Sequence, residues 1–137
     1  MSPVLDASVL VSALSPDAAH HARARSLFER QPLDIPYVVP AIFRLEVIAA
    51  FARRGESDAL LDAVDALVRG PRFHTVALEA DLLDLALRVG RRARLRAYDA
   101  VYGALALSRG EALYTLDLEL EQRLADAFPE VPVVTRA

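Results

Sequence analysis

The sequence predicts an α/β protein with a short, mostly parallel central sheet flanked by helices. Short apolar segments with strand character alternate with longer stretches of helical periodicity, an order typical of a parallel sheet. The chain has 137 residues, of which 54% are hydrophobic, and this is enough for one domain with a buried core. It contains no linker, internal repeat or low-complexity segment. We therefore expect a single domain over residues 1–137.

The predicted strands are short apolar runs bounded by turn residues or by acids. They lie at residues 4–5, 33–39, 73–76, 112–116 and 131–134. The first is followed directly by Asp6 and the fourth by Asp117. Because parallel strands end at the same edge of a sheet, where α/β proteins bind ligands, we expect both carboxylates to lie at that edge.

Helical periodicity accounts for most of the remaining chain. It predicts a helix that follows Asp6 and breaks at Pro16, and further helices over residues 18–30, 40–54, 57–69, 79–92, 99–110 and 118–128. Pro40 suits the first turn of the third of these helices, which is apolar on nearly all sides. We expect that helix to be buried with Glu46 inside it, and a buried acid needs a partner or a metal.

Composition narrows the class of protein. Cysteine is absent, which excludes disulfides, thiolate catalysis and zinc–thiolate sites. No apolar run approaches the roughly 18–20 residues of a membrane span, and no basic region precedes the first apolar residues. We therefore expect a soluble, cytoplasmic protein with no membrane partner.

The basic residues are unevenly distributed along the chain. All sixteen are arginines, and five of them lie within residues 88–96, although the net charge of the whole chain is -3. Arg91, Arg92, Arg94 and Arg96 directly precede Asp99, and a basic strip of this kind can hold a phosphate backbone. The alternative is a solvated helix end whose arginines complement the helix dipole.

Four acids from four separate segments can converge at one edge of the sheet. Asp6 and Asp117 follow strands, Asp99 begins a helix and Glu46 lies within one. Clustered carboxylates repel one another unless a cation lies between them, and oxygen ligands without histidine or cysteine favour Mg²⁺ or Mn²⁺. Such a site activates water and screens the charge that develops on a phosphate.

Two hydroxyl residues accompany the strand-end acids. Ser8 and Thr115 each lie two residues from one of them, so we expect these hydroxyls to orient the carboxylates or a water. The simpler interpretation of Asp6, Asp99 and Asp117 is that each only caps the helix that follows it.

Four short motifs in register resemble the PIN-domain ribonucleases, and most closely the VapC-type toxins of toxin–antitoxin pairs. The motifs are VLDASVL at residues 4–10, RLEV at 44–47, YDAVYGALA at 98–106 and LYTLD at 113–117. Their order and spacing fit that family over essentially the whole chain. The resemblance therefore implies a single PIN-like domain.

The resemblance also implies an endoribonuclease that depends on Mg²⁺ or Mn²⁺ and acts on RNA. Asp6, Glu46, Asp99 and Asp117 take the family's four acidic positions, with Asp6 and Asp99 as direct metal ligands and the other two completing the cluster. The arginine strip would then bind RNA. Further implied partners are a second copy of the chain, in a homodimer, and a small cognate antitoxin protein that binds the helices within residues 40–69. One departure is the acidic sequence LELE at 118–121, where family members often carry basic or polar residues.

Other classes of phosphoryl-transfer protein fit less well. A receiver domain of the response-regulator type needs a lysine, which this chain lacks, and a haloacid-dehalogenase-like phosphatase needs an aspartate at the position of Ser8. Two alternatives remain within the family: a housekeeping RNA-processing nuclease, and a domain that binds RNA or protein without cleaving. The presence of all four acids argues against the second.

Overall fold

The computed structural model describes residues 1–136, in which the five predicted strands form one sheet. They are β1 (Val4–Leu5), β2 (Tyr37–Pro40), β3 (Phe73–Val76), β4 (Leu113–Tyr114) and β5 (Val133–Val134). Their order in the sheet is β3-β2-β1-β4-β5, and all of these pairings are parallel. The predicted α/β class is therefore confirmed, with a sheet that is wholly parallel over the described residues.

Seven helices connect the strands within residues 1–136. They are α1 (Ala7–Ala13), α2 (His21–Glu29), α3 (Ile42–Arg53), α4 (Asp58–Val68), α5 (Ala80–Ala93), α6 (Ala97–Arg109) and α7 (Leu118–Ala127). Each predicted helix is present, with ends that differ by a few residues from those expected. No helix in this part of the chain is long and apolar enough to cross a membrane.

Helix α6 lies at the centre of the core. It packs against β1, β2 and β4, and every residue from 100 to 106 is buried. Gly103 allows this close packing, because a Cβ atom there would lie 3.2 Å from Cδ2 of Leu124 on α7. The burial of this helix together with the apolar strands is the main stabilising contribution to the fold.

The topology of the sheet places a site at one point of its edge. The chain runs from β1 outward to β2 and β3, and then returns to β4 and β5 on the other side of β1. The order of the strands therefore reverses between β1 and β4, and parallel sheets bind ligands at the carboxyl ends of strands at such a reversal. Leu5 pairs with Tyr114, so Asp6 and Thr115, which follow them, are neighbours at this edge.

Helix α3 differs from the sequence-based expectation in two respects. Pro40 is the last residue of β2, in register with Val76, rather than part of the helix. Only a stripe of three side chains (Phe43, Val47 and Phe51) is buried, while Leu45 is 64% exposed. The prediction of a helix buried on all sides is therefore wrong, because α3 turns its second apolar face toward an open groove shared with α4.

Candidate active site

Asp6 lies at the carboxyl end of β1, where it is buried beside two hydroxyl groups. Its Oδ2 atom accepts a hydrogen bond from Ser8 Oγ at 2.9 Å and another from Thr115 Oγ1 at 2.7 Å. Asp6 occupies the N-cap position of α1 but makes no side-chain capping hydrogen bond. Burial raises the pKa of Asp6, the two hydroxyls oppose that rise, and the charge of Asp117 adds to it. Capping alone therefore does not explain this carboxylate.

Thr115 connects Asp6 to the start of α7. While its hydroxyl donates to Asp6, the Oγ1 atom accepts a hydrogen bond from the backbone N–H of Asp117 at 3.1 Å. Asp117 is a true helix cap, since its Oδ1 accepts from the backbone N–H groups of Glu119 at 2.9 Å and Leu120 at 3.1 Å. The cap holds the Asp117 side chain in place next to Asp6.

Glu46 on α3 has a partner that the sequence-based reasoning missed. The hydroxyl of Tyr102 on α6 donates a hydrogen bond to Glu46 Oε1 at 2.7 Å, and Tyr102 is fully buried. Burial raises the pKa of Glu46 to about 6; the Tyr102 hydrogen bond opposes that rise, and the charges of Asp6 and Asp99 add to it. The available signal was a tyrosine hydroxyl three residues after Asp99, on the same side of an otherwise apolar helix.

Asp99 lies in the first turn of α6 rather than at its start. The helix begins at Ala97 and its N-cap residue is Arg96, so the predicted beginning at Asp99 is wrong by two residues and Asp99 is not the cap. Burial raises the pKa of Asp99 to about 6, the charges of Asp6 and Asp117 add to the rise, and Arg96 opposes it. Its negative charge also interacts favourably with the amino end of the helix dipole.

Asp6 lies within electrostatic reach of the other three acids at the edge between β1 and β4. The four acids are not arranged as a ready-made cage, because no three histidine or acidic side chains in residues 1–136 are close enough together to hold a metal as they stand. In three of the acids one carboxylate oxygen is held by donors of the chain: Oδ2 of Asp6, Oδ1 of Asp117 and Oε1 of Glu46. Within residues 1–136 no side chain donates a hydrogen bond to the other oxygen of any of these three acids.

The donor set fits a hard divalent cation. All four candidate ligands are carboxylates, which are the oxygen donors preferred by Mg²⁺ and Mn²⁺. Burial and mutual repulsion disfavour the charged forms of Asp6, Glu46 and Asp99 and so raise their pKa values. A cation between these carboxylates would offset the repulsion.

The predicted arginine strip is divided between different surfaces. Arg94 and Arg96 border a cleft of about 140 Å³ that also includes Asp99 and Asp117, so they lie directly beside the acids. Arg91 instead lines an apolar groove between α5 and α6. The acidic sequence after Asp117 is partly neutralised, because Glu119 forms an ion pair with Arg123 at 2.7 Å.

Comparison with known proteins identifies the family. Residues 4–124 match the PIN domain family, and this range includes all four acids. The chain therefore belongs to the PIN domain family. None of the curated proteins matches it significantly.

Three solved structures share the fold at low sequence identity. VapC20 of Mycobacterium tuberculosis, described as a sarcin-ricin loop cleaving toxin, is 21% identical with a TM-score of 0.76, over 96% of this chain and 99% of that one. A toxin–antitoxin complex from Klebsiella pneumoniae is 19% identical with a TM-score of 0.71, over 98% and 97%. PAE2754 from Pyrobaculum aerophilum is 23% identical with a TM-score of 0.63, over 98% and 84%. These similarities establish the PIN fold.

Proposed function

We propose that this protein is an endoribonuclease that hydrolyses RNA phosphodiester bonds with the help of Mg²⁺ or Mn²⁺. The observation that carries the proposal is Asp6, buried where the strand order reverses, held by two hydroxyls and surrounded by three further acids. Membership of the PIN family supports the proposal, and so does the structural similarity to a toxin described as cleaving the sarcin-ricin loop.

The chain's own residues would prepare the site. A bound divalent cation would activate water and offset the charge that develops on the phosphate. Asp6 and Asp99 would bind the ion directly, and Glu46 and Asp117 would complete the cluster, either through water or with a second ion. Ser8 and Thr115 would orient Asp6 so that its Oδ1 atom is available to the ion.

The decisive experiment is RNA cleavage by the purified protein. We expect cleavage with Mg²⁺ or Mn²⁺, none with EDTA, and a loss of at least about 100-fold for Asp99→Asn. Asp34→Asn is the matched control, because Asp34 is an exposed loop residue outside the site. Equal cleavage by Asp99→Asn, or no cleavage by the wild type with either metal, would refute the nuclease proposal.

We further propose that the nuclease is the toxin of a toxin–antitoxin pair and acts in the cytoplasm. The similarity to VapC20 and to a toxin–antitoxin complex supports this role. A groove of about 690 Å³ between α3 and α4 offers a place for the antitoxin within residues 40–69. Leu45, Ile48 and Leu61 give the groove an apolar floor, and Asp58 and Asp62 give it an acidic border. This chemistry suits a basic amphipathic helix.

The toxin role is tested by genetic context and growth. We expect a small open reading frame beside the gene, growth arrest when this chain alone is over-expressed, and rescue when the neighbouring product is co-expressed. Leu45→Glu should prevent the rescue, whereas Leu33→Glu, at an exposed loop position, should not. Harmless over-expression without such a neighbour would favour the housekeeping nuclease.

The predicted homodimer has a suitable surface on α5 and α6. An apolar groove of about 540 Å³ is lined by exposed Leu83, Leu87 and Tyr98. If two α5 helices pack antiparallel around Leu87, Asp84 of one copy lies opposite the partner's Arg91. Neither of these two residues forms an ion pair within residues 1–136.

Light scattering on variants that exchange the two charges tests this interface. We expect Leu87→Glu and Asp84→Arg each to yield monomers, and Asp84→Arg combined with Arg91→Asp to restore the dimer. Leu33→Glu is the control for an added surface charge. A wild-type monomer at all concentrations, or a dimer that no α5 variant affects, would contradict the proposed interface.

A further inference from the structure

A basic cleft lies beside the acidic site, between the carboxyl end of α5 and the outer face of α7. It has a volume of about 370 Å³ and is lined by Arg92, Arg94, Arg123, Asp126 and two alanines. Three arginines and one aspartate therefore line the cleft, and Asp126 already accepts a hydrogen bond from the side chain of Gln122 at 2.9 Å. The cleft carries a net positive charge.

This basic cleft is continuous with the acidic site. Arg94 and Arg123 line both the basic cleft and the smaller cleft that contains Asp99 and Asp117. A chain of phosphates that enters the acidic site from this side would therefore pass along these two arginines. Two adjoining clefts suit a polymeric substrate, which carries a phosphate at each nucleotide, and not only the phosphate at the acids.

Arg94 has an unusual backbone conformation. It follows the last residue of α5 with φ 57° and ψ 50°, and it is the only residue other than glycine with positive φ in residues 1–136. A left-handed conformation is strained for an L-residue with a side chain, so helices commonly place glycine here. Helix α6 follows that rule with Gly110 at φ 63°. Strained residues of this kind cluster at functional sites.

The two arginines beside Arg94 are held in position by different contacts. The carbonyl oxygen of Arg94 accepts a hydrogen bond from Arg123 Nη1 at 2.8 Å, which ties the end of α5 to α7. The Arg92 guanidinium lies 5.0 Å from the centre of the Phe128 ring. Among the described residues neither Arg92 nor Arg94 forms an ion pair, whereas Arg123 pairs with Glu119.

The helix dipole does not account for this arrangement. Arginines in the last turn of α5 complement the carboxyl end of that helix. Arg123, however, comes from α7, and the conformation of Arg94 carries a steric strain that a glycine would avoid.

We propose that this cleft is a second binding subsite, which holds a backbone phosphate of single-stranded RNA next to the phosphate that is cleaved. The inference rests on the proposed nuclease function, because it states where the RNA lies beyond the acidic site. Guanidinium groups bind phosphate oxygens through paired, planar hydrogen bonds, and here three arginines line one cleft. Of the arginines that precede Asp99, Arg92 and Arg94 belong to this subsite, and Arg123 joins them from α7.

The test measures RNA binding without cleavage. In an Asp99→Asn background with EDTA, fluorescence anisotropy with a labelled single-stranded RNA is recorded over a range of NaCl concentrations. We expect Arg94→Gly, Arg92→Gln and Arg123→Gln each to weaken binding several-fold. Each should also lower the slope of log affinity against log salt, by at most about 0.7, the value for the one phosphate contact that the three arginines share on a single strand. Arg109→Gln is the matched control, since Arg109 is also an exposed arginine at the end of a helix but lies outside the cleft.

Arg94→Gly separates the binding role from a structural one. It should raise the melting temperature by about 4 °C, because the strain disappears, while RNA binding falls. If all three variants bind RNA like Arg109→Gln, with an unchanged salt slope, the subsite does not exist. If the variants lose binding but the wild type cleaves no RNA with either metal, the nuclease proposal fails and the subsite stands.

Discussion

The two edges of the parallel sheet are built from opposite chemistry. Where the strands begin, the rings of Phe28, Tyr37 and Phe73 stack with centroids 5.5, 6.1 and 6.4 Å apart, and the Arg72 guanidinium lies 4.8 Å from the Phe28 centroid. Where the strands end, carboxylates gather beside one another with raised pKa values. One edge stabilises the fold through contacts that the chain supplies by itself. The other edge holds charges whose repulsion the chain leaves partly uncompensated.

This difference separates stability from function within a single sheet. Residues at the aromatic edge contribute through buried area and ring contacts, so their loss should affect folding more than chemistry. Residues at the acidic edge cost stability when no cation is present, so their loss should affect chemistry more than folding. The following predictions test that separation, from the largest expected effect to the smallest.

Asp6→Asn should reduce RNA cleavage by at least about 100-fold while leaving the metal-free protein folded and at least as stable. The amide keeps an oxygen that accepts from Ser8 and Thr115 but carries no charge. Cleavage and urea denaturation are measured on the same preparation, with Asp34→Asn as the control. A clear loss of stability together with unchanged cleavage would show that Asp6 serves the stability of the fold and not its chemistry.

Phe73→Ala should lower the free energy of unfolding by about 3–5 kcal/mol, because it leaves a cavity against Phe28, Tyr37 and Phe43. Cleavage per folded molecule should stay close to that of the wild type. Urea denaturation gives the stability, and Phe73→Leu should lose less than about 1.5 kcal/mol. If cleavage by the folded fraction is abolished, the aromatic edge is not independent of the site.

Tyr102→Phe should weaken Mn²⁺ binding by about 10-fold, because Glu46 loses the donor that orients its carboxylate. Isothermal titration calorimetry measures the affinity. Tyr98→Phe is the matched control, since Tyr98 lies on the same helix with its side chain 53% exposed. If both variants bind Mn²⁺ with equal affinity, Tyr102 does not contribute to metal binding.

Acidification should stabilise the metal-free protein. Glu46 and Asp99 have pKa values of about 6 in the folded state, above their ordinary 4.5 and 3.8, so the folded state binds more protons than the unfolded state between these values. The free energy of unfolding should therefore rise as pH falls from 7.5 to 5.5. Added Mg²⁺ or Mn²⁺ should raise the melting temperature at pH 7.5 and much less at pH 5.5, because protons compete for the same carboxylates.

The matched variant for that experiment is Glu46→Gln combined with Asp99→Asn, which removes both titrations. Its melting temperature should depend less on pH over the same range and respond little to either metal. If the double variant shows the same pH trend as the wild type, Glu46 and Asp99 are not the source of the pH dependence.

Local sequence was sufficient for most of the fold. The alternation of strands and helices depends on neighbouring residues, and the structure confirms it. Helix α3 and the start of α6 were predicted less well. Whether an apolar side chain such as Leu45 is buried depends on what packs against it, and the start of α6 at Ala97 is decided by the turn after α5.

By itself, the sequence determined the fold class. It also determined that two of the four acids follow strands and that the other two lie in helices, because strand ends and helix periodicity are local properties. Only the tertiary structure decided how those acids are held. Asp6 accepts hydrogen bonds from the hydroxyls of Ser8 and Thr115, and Glu46 accepts one from the buried Tyr102 hydroxyl. The Arg123 side chain on α7 donates to the carbonyl oxygen of Arg94 at the end of α5. Most of these contacts join residues far apart in the chain, so they exist only once the helices have packed on the sheet.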